Sequence, residues 1–207
     1  MHRITFVRHG ESIGNAQGRI QGQLDFALTK TGQRQAQALA AFWSRSDVHF
    51  DCAISSPLQR ARQTAEILTQ TLYLPLEFDP QWMERSFGGL EGIRLAEIRE
   101  KGIPDDLFHP FKQPGGNGES LTDLYLRGSQ AIQSLISRKP GSYLVVTHGA
   151  ILQMVLFAIL GLSPEEHFSQ FRFHFGNTSV SELSYDAANH HWAILSINNQ
   201  GHLSDNF

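Results

Sequence analysis

An α/β fold, with a mostly parallel sheet covered by helices on both faces, is what this sequence predicts. Three observations carry the expectation. Short apolar, β-branched runs alternate with segments of helical periodicity along most of the chain, an order that builds parallel sheets through crossover helices. Three of the runs stop at polar clusters, His9-Gly10, Ser55-Ser56 and Thr147-His148, and in such sheets ligands bind outside the carboxyl ends of the strands. The 207 residues, 41% hydrophobic and 18% charged, suit one domain spanning 1–207 with a substantial core.

Ile4-Thr5-Phe6-Val7 reads as the first buried strand. Thr29 offers an N-cap to a helix whose inward stripe is Ala36, Leu39, Ala40 and Trp43. Cys52-Ala53-Ile54 is the second strand, and Pro57 is placed to open a helix with Leu58, Ala61, Ala65 and Leu68 inward. A third strand around Leu76-Glu77-Phe78 leads into the glycine-rich loop Glu84–Gly92. Pro104, Pro110 and Pro114, with Gly102, Gly115, Gly116 and Gly118, mark a surface excursion, so residues from about 84 to 121 are expected to form a lid. Ser120-Leu121-Thr122-Asp123 resembles a capping box at the head of a helix with Leu124, Ala131 and Leu135 inward. Tyr143–Val146 is the most apolar strand, and the helix begun by Ile151-Leu152 stops at Gly161. Phe171, Phe173 and Phe175 alternate as on a strand and are expected to pack in the core. Two terminal strands follow, near Val180–Tyr185 and Trp192–Ile197.

Composition excludes several functions. Seventeen Lys and Arg against twenty Asp and Glu give a net charge of −3, too little positive field for nucleic acid or an anionic membrane surface. Cys52 is alone, which excludes a disulfide framework and a Cys-rich zinc module. The first eight residues lack the apolar core of a signal peptide and no stretch reaches a membrane span, so a cytoplasmic protein is expected. Monomer and homodimer are both compatible with this length.

The chemistry concentrates in a few residues. Arg8-His9-Gly10-Glu11-Ser12 puts a cation, an imidazole and a glycine at a strand terminus, with Asn15 close behind. Arg60 lies three residues past Pro57, in a first helical turn, where free N–H groups and the helix dipole favour an anion. Guanidinium matches phosphate oxygens bidentately and keeps its charge when buried. A neutral His9 is then a competent nucleophile toward phosphorus, provided its other ring nitrogen is held as a donor, for example to a backbone carbonyl. A metal on His9 and His148 with Glu11 or Glu84 is disfavoured, because clustered arginines repel a cation and no ligand pair has metal spacing. No cofactor is expected. Arg3, Arg62 and Arg85 read as structural, and the remaining histidines, His190-His191 among them, as surface residues. Asp25 and Glu119 receive no role.

Arg8-His9-Gly10-Glu11, Ser55-Ser56-Pro57-Leu58-Gln59-Arg60-Ala61, Glu84-Arg85-Ser86-Phe87-Gly88 and Thr147-His148-Gly149, in that order, resemble the histidine phosphatase (phosphoglycerate mutase-like) superfamily from residue 3 to the tail. The resemblance implies a three-layer α/β/α sandwich around a six-stranded sheet with one antiparallel strand. It implies that His9 is the phosphorylated nucleophile, that Arg8, Arg60 and His148 form the phosphate pocket, and that Glu84 is proton donor and then base. For that role Glu84 should have a raised pKa beside a dianionic phosphate, against the pull of nearby arginines. Ser12, Asn15, Gln21, Gly22 and Gly149 fall where the family contacts phosphate or the rest of the substrate. The implied activity is metal-independent hydrolysis of a small phosphorylated metabolite. The rivals are a phosphoglycerate mutase-type phosphotransferase and a non-catalytic phospho-ligand binding protein. The lid is shorter than a mutase's, ten residues follow Ile197, and Asn198–Leu203 resembles the ending of phosphatase members, so hydrolysis is favoured.

Overall fold

The computed structural model describes residues 1–102, 104, 106–168 and 170–203. The strands are β1 (His2–Arg8), β2 (Cys52–Ser55), β3 (Leu76–Phe78), β4 (Ser142–Thr147), β5 (Val180–Asp186) and β6 (His191–Asn199). They form one six-stranded sheet in the order β3-β2-β4-β1-β5-β6. β5 alone is antiparallel, to β1 on one side and β6 on the other. The helices are α1 (Ile13–Ala16), α2 (Lys30–Ser44), α3 (Gln59–Leu72), α4 (Leu95–Lys101), α5 (Leu121–Ile136), α6 (Gly149–Leu160) and α7 (Pro164–His167).

Side-chain alternation along the strands decides which helices cover which face. Phe6, Ile54 and Val145 point into one core with Leu124, Ile132 and Leu135 of α5 and Ile151 and Val155 of α6. Val7, Ala53, Leu144 and Val146 point into the other, with Leu39 and Trp43 of α2 and Ala61, Ala65 and Leu68 of α3. Leu144, Val145 and Val146 are buried on both faces, and each contributes about 1.5–3 kcal/mol of apolar burial. The predicted caps are present: Thr29 Oγ1 accepts from Gly32 N, and Ser120 and Asp123 form a reciprocal capping box.

Four expectations are corrected. Helix α3 begins at Gln59, not Pro57, because Leu58 stays extended (φ −61, ψ 134) with its N–H on Ser56 Oγ. The short helices α1, α4 and α7 were not foreseen, being too short to show periodicity. Residues 171–175 form no strand. Side chains elsewhere satisfy their backbone instead: Gln153 takes Phe171 O and Phe173 N, and Arg8 takes Phe175 O. Phe175 is accordingly buried and Phe173 half-buried against the core, but Phe171 is 48% exposed. Two histidines expected outside lie inside: His2 packs against the rings of Tyr143 and Tyr185, and His202 is buried against Thr178.

Candidate active site

Arg8 and Thr147 are register partners at the ends of the parallel strands β1 and β4, and His9 N donates to Thr147 O at 2.9 Å. His9 and His148 therefore leave the sheet side by side, with ring centroids 5.0 Å apart. β2 ends beside them, and Ser56 Oγ lies 2.8 Å from His148 Nε2. Both imidazoles are buried.

The proton positions follow from the partners. His9 Nδ1 lies 2.7 Å from Gly10 O. A carbonyl only accepts, so Nδ1 carries the proton and the Nε2 lone pair is free. Burial, then the charges of Arg60 and Arg8, hold His9 well below the ordinary histidine value of 6.5, and the ring is neutral at neutral pH. Burial and Arg60 lower His148 in the same way. Ser56 Oγ accepts from Leu58 N and pairs with His148 Nε2; with the hydroxyl as donor in that pair, the ring proton of His148 lies on Nδ1.

Backbone carbonyls anchor the two guanidiniums. Arg60, fully buried, donates through Nη1 to Leu24 O at 2.9 Å and through Nη2 to Gly22 O at 2.7 Å. Arg8 donates through Nη1 to Phe175 O. Burial pushes Arg60 down to about 10, which still leaves it cationic at neutral pH. Arg8 Nε, Arg60 Nε and His148 Nδ1 are buried with no partner among the described residues. An unpaired buried donor costs about 1–3 kcal/mol. With the charges of Arg8 and Arg60 acting on His9 and His148, these unpaired groups give the site an electrostatic preference for an anion.

Glu84 closes the constellation from the other side. Its Oε1 accepts from Arg85 N at 2.9 Å, Ala150 N at 3.1 Å and Ile151 N at 3.3 Å. The carboxyl thus docks on the first turn of α6, where unpaired N–H groups and the dipole favour it. Sequence reasoning put the anion-binding helix terminus at α3 instead. That terminus is taken by Asp25, whose Oδ1 accepts from Gln59 N at 2.6 Å. The loop carrying Glu84 is pinned to the sheet, since Thr147 Oγ1 donates to Trp82 O at 2.7 Å.

Of the residues expected to touch substrate, Gly149 begins α6 beside Arg8, whose Nε would lie 3.9 Å from a Cβ added there. Gly22 anchors Arg60 through its carbonyl; its φ is +51° and a Cβ would meet Glu91 Oε1 at 2.1 Å, so only glycine fits. Ser12 is buried and caps α1, bonding Asn15 and Gln21. Asn15 and Gln21 are half-buried. Among the described residues no three His, Cys, Asp or Glu side chains are grouped to hold a metal ion.

A family model for the histidine phosphatase superfamily (branch 1) matches residues 4–200. The chain belongs to that superfamily. It is 33% identical over 204 residues to an uncharacterized phosphatase, PhoE, of Bacillus subtilis, covering 99% of this chain and 98% of the relative. It is 32% identical to a probable phosphoglycerate mutase, GpmB, of Yersinia enterocolitica, covering 98% and 95%. Among solved structures, a mutant phosphoserine phosphatase from Entamoeba histolytica in complex with phosphoserine superimposes with a TM-score of 0.80 at 25% identity, covering 98% of this chain and 100% of that one. Superfamily relatives of this chain are thus phosphatases and phosphoglycerate mutase-like proteins.

Two features of this histidine phosphatase-superfamily site escaped sequence reasoning. Arg127, on α5, donates to both carboxylate oxygens of Glu119 and to the carbonyls of Gln81, Met83 and Glu84. It clamps the strap that carries Glu84. Thr178 holds a left-handed φ of 53°, costly for a β-branched residue at about 1–3 kcal/mol. Its N–H bonds Arg8 O and His9 O, and the preceding Asn177 donates from Nδ2 to His9 O and Asn15 Oδ1. Nothing in local periodicity announces either; both act on backbone groups distant in sequence.

Proposed function

We propose that this protein is a metal-independent phosphatase that hydrolyses a small phosphate monoester through a phosphohistidine on His9. One observation carries the reading: a neutral His9 with its Nε2 free is buried against His148 in the field of Arg8 and Arg60, whose Nε atoms, like His148 Nδ1, lack partners among the described residues. A phosphoryl group is the ligand whose charge and acceptor oxygens this arrangement suits. In the first step His9 Nε2 attacks phosphorus in line. The N–P bond forms as the ester P–O bond breaks, and protonated Glu84 gives its proton to the departing oxygen. In the second, water attacks phosphorus, the Glu84 carboxylate takes the water proton, and the N–P bond breaks to release inorganic phosphate and restore His9.

The magnitudes are of the right order. Hydrolysis of a phosphate monoester asks for a barrier reduction approaching roughly 28 kcal/mol. Donors from Arg8, Arg60 and His148 supply about 3–4 kcal/mol each, and fixed orientation about 7–11 kcal/mol. Proton transfer by Glu84 adds about 3–5 kcal/mol. The positive charge facing the phosphoryl oxygens comes from guanidiniums, so the mechanism routes no step through a metal.

Turnover of para-nitrophenyl phosphate and a panel of small phosphate esters, with a chelator present, tests the assignment. Undiminished turnover and an alkali-stable phospho-adduct on the His9 peptide are expected. No turnover of any ester, or an adduct on another residue, overturns it. The likeness to probable phosphoglycerate mutases makes phosphoryl transfer to a second phosphoglycerate the rival reading. Release of inorganic phosphate without isomerised phosphoglycerate decides for hydrolysis.

A further inference from the structure

A cavity of about 210 Å³ is lined in part by chain neighbours of Glu84 and of its backbone partners, though not by Glu84 itself. Its lining includes Gly149 and Ala150, from the helix turn that holds the Glu84 carboxyl, and Arg85 and Phe87, which follow Glu84 in the chain. On the phosphatase reading, the departing alcohol is assigned to this space.

The cavity is built for a flat apolar body. Leu121, Leu124 and Met154 form a buried floor. Phe87 and Phe173 stand half-buried at its sides, and the rings of Phe108 and Phe168 stack with centroids 6.0 Å apart. Gln153 is the one neutral polar side chain in the lining, and its amide is already committed to Phe171 O and Phe173 N. A polyhydroxylated sugar would leave hydroxyls against apolar walls at a desolvation cost. Apolar cavities of about 150 Å³ accept benzene, so 210 Å³ takes a ring with a short substituent.

Its charge is one-sided. Arg85 is 2% exposed; Nε and Nη1 donate to Glu119 O and Leu107 O, and Nη2 has no partner among the described residues. Arg172 lies at the rim, 5.0 Å above the Phe108 ring and 5.3 Å above that of Phe168. No carboxylate belongs to the lining among the described residues; Glu119, Glu84 and Asp106 act on Arg85 from outside it. Arg85, read from sequence as structural, thus has a second face.

Resting on the phosphatase reading, we propose that the preferred leaving group is an aromatic or similarly flat apolar alcohol that bears a carboxylate. The ring fills the phenylalanine-walled cavity and the carboxylate meets Arg85 and Arg172. An ammonium in the same place would face two cations with no carboxylate in the lining, so esters that carry an amine and no carboxylate are poor substrates.

Three esters of near-equal leaving-group acidity test this: phenyl phosphate, para-carboxymethyl-phenyl phosphate and para-aminomethyl-phenyl phosphate. The carboxymethyl ester should exceed phenyl phosphate by about tenfold in kcat/KM, the effect of one charge-assisted hydrogen bond, and the aminomethyl ester should fall below it. Arg172→Met, at an exposed position that folding tolerates, should bring the carboxymethyl-to-phenyl ratio close to one. Equal rates for the three esters, a preference for the amine, or an unchanged ratio in Arg172→Met overturns the inference and leaves the phosphatase standing. No turnover of these esters or of para-nitrophenyl phosphate fails the phosphatase reading itself and takes the inference down with it.

Discussion

The anion pocket and the cavity beside it are built on opposite plans. In the pocket, Arg60 is held by Gly22 O and Leu24 O, Arg8 by Phe175 O and His9 by Gly10 O. Arg8, Arg60 and His9 are each tied to main-chain carbonyls, and His148 to the Ser56 hydroxyl. In the cavity, Phe108, Phe168 and Arg172 hold one another, and Phe108 is 43% exposed. Backbone anchoring fixes positions to fractions of an ångström, as phosphoryl transfer demands. Side chains that rest on side chains can be exchanged without disturbing the sheet, so this plan suits the part of a site that selects among substrates.

The sharpest way to break the comparison is at its rigid end. His9→Ala should lower kcat/KM by at least about 10⁴-fold for every ester, whatever its leaving group, because the stepwise path is lost. Circular dichroism and thermal melting should report a folded protein. Activity within about tenfold of wild type would refute the nucleophile assignment.

Glu84 stands at the border of the two regions, and its replacement should show both characters. Glu84→Gln should cost about 10²–10⁴-fold with alkyl phosphates, whose leaving oxygens need a proton. With para-nitrophenyl phosphate the cost of the first step should be far smaller, so burst kinetics should show hydrolysis of the phosphoenzyme becoming limiting. Equal losses across leaving groups would remove the proton donor from the mechanism.

A smaller effect is expected one step back. Arg127 touches the carbonyls of Gln81, Met83 and Glu84 and the carboxylate of Glu119, not the anion pocket. Arg127→Met should cost about 2 kcal/mol of stability, since it leaves Glu119 and three carbonyls short of donors. It should also lower kcat by about tenfold, more for poor leaving groups than for good ones, if it positions the general acid. Uniform loss across leaving groups would make it merely structural.

What the sequence made legible follows the same division. The strands β1, β2, β4 and β5 and the helices α2, α3, α5 and α6 were readable because a stripe or an apolar run faces a core, whereas the edge strands β3 and β6 are mostly exposed. His9, His148 and Arg60 stand at the ends of such elements, whereas Glu84 lies in a loop and is singled out only by the resemblance of its motif. The cavity was not readable. Arg85 reads from the sequence as structural, and it is buried with its guanidinium on Leu107 O and the helix-entry carbonyl Glu119 O, yet it also lines the cavity. The alternation of Phe171, Phe173 and Phe175 suggested a strand because period two is all that a local window sees. The long-range bonds from Gln153 and Arg8 that make the segment irregular carry no local signal.

The smallest effect concerns acid, and it too falls on the rigid side. His202 Nε2 lies 3.0 Å from Thr178 Oγ1, and Thr178 N donates to Arg8 O at 2.9 Å. The histidine therefore buttresses the loop behind the anion pocket, whereas no histidine lines the cavity among the described residues. Burial pushes His202 from 6.5 down to about 4. Above pH 6.5 the ring is neutral in both folded and unfolded chains and acid has no leverage. As the pH falls from 6.5 toward about 4 the unfolded chain takes up a proton that the folded chain refuses, so stability drops across that window. His9 and His148, also lowered by burial, add to the drop in the same direction. His202→Gln keeps a polar partner for Thr178 but cannot titrate, so its melting temperature should fall less between pH 7 and pH 5 than that of the wild type. Equal falls in the two proteins would mean that acid acts through the pocket histidines alone.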